Sequence, residues 1–541
     1  MLASWQQTPV NLVSYSQLVQ IIILMSHLGA QSIPVIDLFA GPGGLCEGFA
    51  SLVRDGSREF DIRVSIEKDP VAHRTLSLRA LFRSFPVGRI PSSYYQYIRG
   101  EISREQLESD PAVSPYVGKA YSEARCAELG KDDHGEIDSW IREGLAGAKE
   151  WVLIGGPPCQ AYSLAGRARM RGGNPKEFEA DKRHFLYREY LRIIKEFSPS
   201  VFVMENVKGM LTSQHSGSFI FDRILSDLQS PGNGHQYLVR SFVVQGEIDD
   251  PDDFVIKSEN YGIPQSRHRV SLFGIRTDVA KSVPDLVNHP ERFSLKQLPR
   301  INARDVLDGL PALRSQLSKR YDGMPDSVAN WQKALANGLK VLEKKRSAVP
   351  LRVLERAKRA VTKSWIHKST GAKFIQSDIS MNGPLAYWYL DPRIGGVTLH
   401  ETRSHMESDL HRYLFASSFA REENRSPNLR DFPEALLPSH ENVGSESTPF
   451  LDRFRVQLRN QPSTTIVSHI AKDGHYYIHP EPSQCRSLTV REAARLQTFP
   501  DNYFFEGNRT QQYHQVGNAV PPLLARKIAE IVLRLLQSTE R

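Results

Sequence analysis

One short stretch, residues 151–163, constrains the fold more than any other part of the 541-residue chain. It begins with an apolar run at 151–154, which predicts a buried β-strand, and then reaches two glycines and two prolines that cannot continue a strand. Cys159 follows this turn directly. Because the carboxyl end of a strand in an open α/β sheet faces the crevice where ligands bind, Cys159 is a candidate nucleophile that reacts as the thiolate. The alternative is an inert cysteine that packs as a small buried apolar side chain.

Repeated strand and helix units around this stretch predict the α/β fold class. Residues 33–39 have the pattern of a strand, a glycine-rich turn follows, and a helix begins near Leu45. Glycines in such a turn let the backbone approach a bound ligand closely. The next predicted strand, 62–66, ends in Glu67, where folds of this kind hold a ribose hydroxyl pair. A glycine turn alone is equally typical of an ordinary connection between a strand and a helix.

Two later segments place polar side chains at strand ends. The predicted strand 200–204 ends in Glu205, which can hold or donate a proton unless it only caps a helix. Arg267 and Arg269 stand two apart before a predicted strand at 270–275, so on an extended backbone they point the same way. Two converging guanidinium groups suit an anion or a pyrimidine carbonyl, and the alternative is a solvent-facing pair on an edge strand.

The positive charge of the chain is concentrated in one region. Residues 311–420 hold 18 basic and 9 acidic side chains, a net of 18 − 9 = +9, whereas the whole chain carries +8. Within 331–373 there are 12 basic and 2 acidic residues, including Lys344, Lys345 and Arg346. This concentration predicts a surface that binds a polyanion, and the alternative is a solvated helical face.

The four cysteines are far apart and show no paired spacing, which favours neither a disulfide framework nor a zinc module. We therefore expect no metal and a reducing, cytoplasmic location. The apolar run at 18–25 is too short to span a membrane and has no basic residue before it, so we expect no membrane association.

The loss of regular strand and helix patterns after about residue 309 predicts a second domain. We expect an N-terminal extension at 1–32, a catalytic domain at 33–315 plus 484–541, and the second domain at 316–483. The catalytic domain is expected to contain an insertion at about 81–130, where prolines interrupt short helical patterns.

Six blocks, in this order along the chain, resemble the motifs of the C5-cytosine DNA methyltransferases. They are residues 37–44, 155–163, 205–207, 265–269, 491–499 and 515–521. The resemblance implies a Rossmann-like, S-adenosylmethionine-dependent methyltransferase domain with an inserted, smaller target recognition domain. It also implies methyl transfer to C5 of a flipped-out cytosine within a specific sequence of double-stranded DNA. The expected context is a prokaryotic or phage-encoded monomer, acting as the modification enzyme of a restriction-modification or related system beside a separate restriction endonuclease.

The family's chemistry, carried over residue by residue, assigns roles to four side chains. Cys159 adds to C6 of the cytosine, and Glu205 binds the N3/N4 edge and assists its protonation. Arg267 contacts the base carbonyl, while Arg269 positions Cys159 or Glu205. The enamine attacks the methyl group of S-adenosylmethionine, and loss of the C5 proton then expels Cys159. The implied cofactor pocket consists of Asp37, Phe39, Gly41, Gly43, Gly44, Glu67, Pro157, Asn518 and Val520. The expected DNA contacts come from Gln160, Ser163, Lys344, Lys345 and Arg346.

Two departures from the family pattern and three other functions stay open at this stage. The stretch before Cys159 is longer than usual, and the acidic residue that contacts the adenine is not obvious, with Glu136 and Asp138 as candidates. The first alternative function is a tRNA cytosine-5 methyltransferase with the same motifs. The second is a non-catalytic DNA-binding regulator of the same fold. The third is a nicotinamide oxidoreductase, in which Cys159 and the two arginines would have no role.

Overall fold

The structure is a computed structural model of the chain. It describes residues 32–158, 186–215, 218–232, 234–246, 248–318, 323, 325–438 and 451–539. The predicted residues Cys159, Gln160 and Ser163 lie outside this part of the chain. Within the described part, no helix has both the length and the apolar composition needed to cross a membrane.

A central eight-stranded sheet organises the fold. Its strands run in the order β6-β8-β5-β4-β1-β2-β3, and β7 pairs with β8 beside this path. The strands from β3 to β5 are parallel, β8 is antiparallel to β5, and β6 and β7 are antiparallel to β8. The strand order reverses between β1 and β4, which is where such sheets bind ligands. The bounds are β1 Ile33–Leu38, β2 Phe60–Glu67, β3 Ala124–Cys126, β4 Val152–Gly155, β5 Val201–Val207, β6 Tyr237–Arg240, β7 Val255–Lys257 and β8 His268–Arg276.

Helices cover both faces of the sheet, as the predicted α/β class requires. Val35 and Val203 face one buried cluster. They share it with helix α1, Gly44–Ala50, and with the C-terminal helix α18, Pro522–Thr539. Ile36 and Phe202 face the other cluster, which is completed by α6, α7 and α8. The fold class is thus confirmed. The helices up to the end of the sheet are α1 Gly44–Ala50, α2 Pro70–Ser84, α3 Ser92–Arg99, α4 Arg104–Ser109, α5 Ser114–Glu123, α6 His134–Leu145, α7 Tyr187–Phe197, α8 Ile220–Gln229, α9 Thr277–Lys281 and α10 Asp285–Asn288.

The predicted insertion at 81–130 is partly core structure. Its first residues belong to α2, which is capped by Asp69 and runs to Ser84. Its last part contains β3, which pairs with β2 in parallel at the edge of the sheet. Only the segment between α2 and β3, which contains α3, α4 and α5, interrupts the regular alternation of strands and helices. Strand β3 has only three residues, too few for a hydrophobic pattern to reveal it.

The region predicted as a second domain packs in two different ways. Helices α12, α13 and α15 enclose their own buried cluster, which includes Trp331, Val353 and Phe415. In contrast, Leu399 and Ile466 belong to the same buried cluster as the sheet. The elements after the sheet are α11 Ala303–Leu307, α12 Val328–Lys344, α13 Leu351–Lys363, β9 Gly371–Gln376, α14 Ala386–Tyr389, β10 Gly396–Glu401, α15 Glu407–Glu423, α16 Val490–Leu496, α17 Arg509–Asn518 and α18 Pro522–Thr539.

A two-residue strand, Ser463–Thr464, fixes part of this region to the sheet-bearing body. It pairs in parallel with Gln265–Ser266, immediately before β8. The buried Gln265 side chain accepts a hydrogen bond from the Ile466 N–H (2.7 Å) and donates to the Leu496 carbonyl of α16 (3.1 Å). The contacts around 463–470 therefore extend the sheet-bearing body into the range predicted as the second domain.

Candidate active site

Glu205 and Arg269 form an ion pair at the carboxyl end of β5. The two strands that carry them are antiparallel neighbours, with Glu205 opposite Ser271 and Val207 opposite Arg269. Arg269 Nε lies 3.2 Å from Glu205 Oε1, and the two side chains are 17% and 15% exposed. Burial lowers the pKa of Arg269, while the charge of Glu205 acts in the opposite direction. The pair is therefore largely buried.

The chain approaches Cys159 from directly beside this pair. Gly156 follows β4, and a Cβ atom placed on it would lie 3.4 Å from Glu205 Oε2. The carbonyl of Pro157 accepts a hydrogen bond from Asn206 Nδ2 at 3.2 Å. Cys159 itself begins the segment that lies outside the described residues. The residues that lead to it are nevertheless held against the end of β5.

Arg267 and Arg269 make different contacts, although both line one small cavity with Glu205. Its N–H donates to the Gln265 carbonyl at 3.1 Å, so the backbone turns between the two-residue strand and β8 and is not extended. Its guanidinium is buried, with 3% exposure, and Nη1 donates to the carbonyls of Ile466 (3.0 Å) and Gly517 (3.4 Å). Burial, and secondarily Arg269, lower the pKa of Arg267 to about 9. Both arginines line one small cavity with Glu205, but only Arg269 pairs with the carboxylate.

The contacts of Arg267 predict a role in stability. We expect Arg267→Ala to lower the free energy of unfolding by about 2 to 4 kcal/mol, because it leaves buried carbonyls unpaired and opens a cavity. Urea unfolding of the parent and the variant measures this loss. The matched control is Arg269→Ala, which removes a guanidinium two residues away without freeing the Ile466 and Gly517 carbonyls. Equal stability of parent and Arg267→Ala would contradict the structural role.

The glycine turn after β1 is held against the end of β2 by Glu67. Its carboxylate accepts hydrogen bonds from the N–H groups of Gly41 and Asp69, both at 2.8 Å. Burial raises the pKa of Glu67, and these two hydrogen bonds act in the opposite direction. Phe39 has φ of +57°, a strained conformation for a bulky residue that is typical of functional sites. A Cβ atom on Gly41 would meet nothing within 4 Å, so the turn has open space on that side.

The C-terminal part of the chain closes onto the same turn. Gly43 has φ of +98°, and a Cβ atom on Gly44 would lie 2.2 Å from the Val520 carbonyl oxygen, so glycine is required there. Asn518, two residues before Val520, is exposed, and its Nδ2 lies 3.1 Å from His514 Nδ1. The turn, Glu67 and Val520 therefore come together at the switch point of the sheet. This arrangement of a ribose-type carboxylate beside an open glycine turn fits a nucleoside cofactor.

Asp37 lies beneath this turn and not in it. The side chain is fully buried, and both carboxyl oxygens lack a hydrogen-bond partner among the described residues. Burial raises the pKa of Asp37 to about 8, against a smaller opposing effect of the nearby Cys46 thiol. The cofactor contact of Asp37 stays a prediction.

The structure also points to an acidic residue that the sequence patterns missed. Strand β3 ends at Cys126, opposite Glu67, and Glu128 is the first acidic side chain after it. Glu128 pairs with Lys68 (3.2 Å) and Lys131 (2.9 Å) on the rim beside Glu67. The two candidates named from the sequence lie on α6 instead, and Asp138 there pairs with Arg192 of α7 at 2.8 Å. Recognising β3 as a strand would have added Glu128 to the candidates for the adenine contact.

The predicted DNA contacts in the basic region lie at the end of α12. Lys344 is the last residue of that helix, Lys345 caps it, and Arg346 begins the next short turn, with all three side chains exposed. Several other cations of this region are neutralised, since Arg352 pairs with Glu423 and Arg356 with Glu422. Among the described residues, no group of three or more His, Cys, Asp and Glu side chains could hold a metal ion.

Comparison with known proteins identifies the family. The model of the C-5 cytosine-specific DNA methylases matches residues 114–534, most of the chain. The chain belongs to this family. It is a DNA cytosine-5-methyltransferase. The chain is 32% identical over 516 residues to the type II methyltransferase M.Bpa9945I of Bacillus paralicheniformis, and the alignment covers 92% of this chain and 98% of that one. It is also 27% identical over 520 residues to the type II methyltransferase M.AgeI of Thalassovita gelatinovora, with 92% and 98% covered.

A solved structure agrees with the fold of the methyltransferase. A prophage-encoded Escherichia coli protein, assigned as a DNA modification methyltransferase, superposes with a TM-score of 0.50 at 20% identity. The match covers 94% of this chain and all of that one. Members of the family use S-adenosylmethionine as methyl donor, and DNA is their substrate.

Proposed function

We propose that this methyltransferase modifies C5 of a cytosine that is flipped out of a specific sequence in duplex DNA, through a covalent bond between Cys159 and C6. The observation that carries the proposal is the Glu205–Arg269 pair, which stands beside Gly156 where the chain turns toward Cys159. The likeness to type II methyltransferases supports a role as the modification enzyme of a restriction-modification system, beside a separate restriction endonuclease. We further propose that it acts as a monomer in the cytoplasm of a prokaryotic or phage-infected cell.

The chemistry explains why these residue types are needed. Cytosine C5 is a poor nucleophile, so a thiolate must first add to C6 and push electrons toward C5. Glu205 holds a proton at the N3/N4 edge of the base while negative charge develops there. S-adenosylmethionine supplies the methyl group. Loss of the C5 proton then lets the bond between C6 and the Cys159 sulfur break, which restores the ring and frees the thiol.

The contacts of the two arginines suggest roles that differ from those implied by the family resemblance. Because Arg269 pairs with Glu205, its guanidinium is the one that can reach a base held against that carboxylate. Arg267 donates to two carbonyls in the interior and has little freedom to reach the base. We therefore assign the base carbonyl contact to Arg269 and a positioning role to Arg267, which holds β8 in place.

We place the cofactor between the glycine turn and the end of β3. Phe39, Gly41 and Gly43 shape the turn, Glu67 holds the ribose hydroxyls, and Glu128 contacts the adenine. Gly44 allows Val520 to close the pocket from the C-terminal side, while Pro157 and Asn518 border it on the side of the base. We further propose that helices α12, α13 and α15, with their separate core, form the inserted target recognition domain.

Expression in a host without cytosine methylation tests the proposal. Bisulfite sequencing of that host's DNA is expected to show methylated cytosines at one position of one recurring sequence. Sequencing of the tRNA from the same cells is expected to show no new methylation. Methylation found in tRNA alone, or in neither nucleic acid, would overturn the proposal.

The exposed cations at the end of α12 give a separate prediction. Each phosphate neutralised by a basic side chain contributes about −0.9 to the slope of log affinity against log salt, so changing Lys344, Lys345 and Arg346 to alanine should make it shallower by up to about 2.7. The methylated sequence should stay the same, because phosphate contacts position the protein but do not specify bases. DNA affinity at several salt concentrations measures the slope.

The matched control for this triple variant removes the same charge elsewhere. Lys119, Arg142 and Lys149 are exposed cations on α5, on α6 and just after α6, outside the basic region of the sequence. Their change to alanine is expected to leave the slope nearly unaltered. If both triple variants change the slope equally, the effect comes from net charge and the end of α12 has no special role.

A further inference from the structure

A turn at the end of α13 presents two large apolar side chains to solvent. The helix ends at Lys363, and the following short turn, Ser364–Ile366, carries Trp365 and Ile366. These two side chains are 64% and 66% exposed. Large apolar side chains gain free energy when they leave water, so an adjacent, exposed pair of this size indicates a surface that binds a partner.

The turn that carries this pair is fixed on both sides. Lys363 Nζ lies 3.4 Å from Glu481 Oε1. His367, which is buried, hydrogen-bonds through Nε2 to Ser483 Oγ at 2.9 Å. Arg314 Nε donates to the Lys368 carbonyl at 3.3 Å. The two apolar side chains are therefore held out from a rigid base, which lowers the entropy cost of binding through them.

Three basic residues lie close to the pair along the sequence. Arg359, Lys368 and Lys373 are exposed, and no acidic side chain in the described part of the chain lies within ion-pair distance of any of them. Unneutralised cations beside an apolar pair favour a polyanion that also offers apolar surface. By contrast, residues 1–31 contain no Asp or Glu, so that segment has no carboxylate to pair with these cations.

Duplex DNA has both properties, because phosphates flank sugars and stacked bases. The anchors of the turn also connect it to the active site. Glu481 and Ser483 precede α16, and the Leu496 carbonyl at the end of that helix accepts the Gln265 hydrogen bond beside Arg267. The turn therefore contacts the segment before α16, and α16 in turn contacts Gln265, just before β8.

We propose that Trp365 and Ile366 form an apolar contact with the duplex DNA substrate, flanked by phosphate contacts from Arg359 and Lys368. This inference rests on the proposed function. Aromatic and aliphatic side chains contact sugars and base faces in many protein–DNA interfaces, and they do so without reading a sequence. The contact helps to hold the duplex while the target base is out of the stack.

Replacement of Trp365 separates this contact from the phosphate contacts. The probe is a labelled, unmethylated duplex that contains the sequence modified by the enzyme. The affinity of the protein for this duplex is measured at several salt concentrations. Trp365→Ala is expected to bind about tenfold more weakly at every salt concentration with an unchanged slope, since an apolar contact releases no counterions. Trp365→Phe, which keeps an aromatic ring, is expected to retain most of the affinity. The control is Tyr387→Ala, which removes another exposed aromatic side chain (73%) on α14.

Each outcome of this experiment decides between partners. Parent-like binding by Trp365→Ala overturns the inference while the proposed function stands, because the parent still binds the duplex. If the parent does not bind the duplex, the proposed function itself fails. Unchanged DNA affinity with a shift from dimer to monomer in Trp365→Ala would show that the pair covers a second copy of the chain. A changed salt slope would show that cations near the turn, and not the apolar pair, make the contact.

Discussion

Replacing Cys159 with alanine is expected to abolish methyl transfer, by at least about a thousandfold, while DNA binding persists. The thiol forms the covalent bond to C6, and alanine has no atom that can replace it. The side chain is small, so its loss removes little contact with DNA. Methylation assays and DNA affinity measurements on the same preparations test both halves of this expectation.

A second readout detects the covalent bond directly. With a duplex whose target cytosine carries fluorine at C5, no proton is available for the last step, so the adduct with the parent should survive denaturation. Cys159→Ala should give no adduct. The control is Cys485→Ala, which removes a buried thiol in the cluster around α12, α13 and α15 and should still form the adduct. Turnover by Cys159→Ala within tenfold of the parent would remove Cys159 from the mechanism.

Glu205→Gln is expected to slow methyl transfer by about a hundredfold to ten-thousandfold, the range that loss of a general acid or base produces. Glutamine keeps the shape of the side chain but cannot hold the proton. It also weakens the pair with Arg269, whose Nε lies 3.2 Å from the carboxylate. The loss should appear in kcat for a saturating duplex, while the free energy of unfolding changes little.

The matched control for Glu205 is another buried carboxylate nearby. Glu259 pairs with His268 at 2.9 Å, next to Arg269 in sequence, but it does not face the residues that lead to Cys159. Glu259→Gln is expected to keep kcat within about threefold of the parent, because its partner His268 is partly exposed and neither side chain belongs to the proposed chemistry. If both variants are equally slow, the effect is a general disturbance of β8 and not a proton-holding role of Glu205.

Much of the fold could be predicted from local sequence, while the site residues stay predictions. The strands that carry Asp37, Glu67 and Glu205 were predicted from short apolar runs, and the structure has strands at all three positions, ending at Leu38, Glu67 and Val207. The cap of α16 is equally local, because Thr489 and Glu492 form a capping box within one turn. Such signals depend only on neighbours along the chain, so the sequence alone carries them.

Local sequence could not predict where the second region packs against the sheet, or that Glu128 follows a strand. The strand Ser463–Thr464 has two residues and β3 has three, and neither length can show a periodic pattern. Each exists because it pairs with a strand that is distant in sequence. Residues near 466 therefore pack with the sheet, although their composition resembles that of the variable region before them.

The sequence by itself determined that the chain carries a methyltransferase's residues at the ends of its strands, because that chemistry requires particular side chains in a fixed order. Only the tertiary structure decided which arginine pairs with Glu205. Arg267 and Arg269 are equivalent in a pattern of alternating side chains, but Arg267 hydrogen-bonds to the Ile466 carbonyl, 199 residues further along the chain. That contact holds the Arg267 guanidinium in the interior. No local signal can anticipate it, because the partner is chosen by how the distant segments pack.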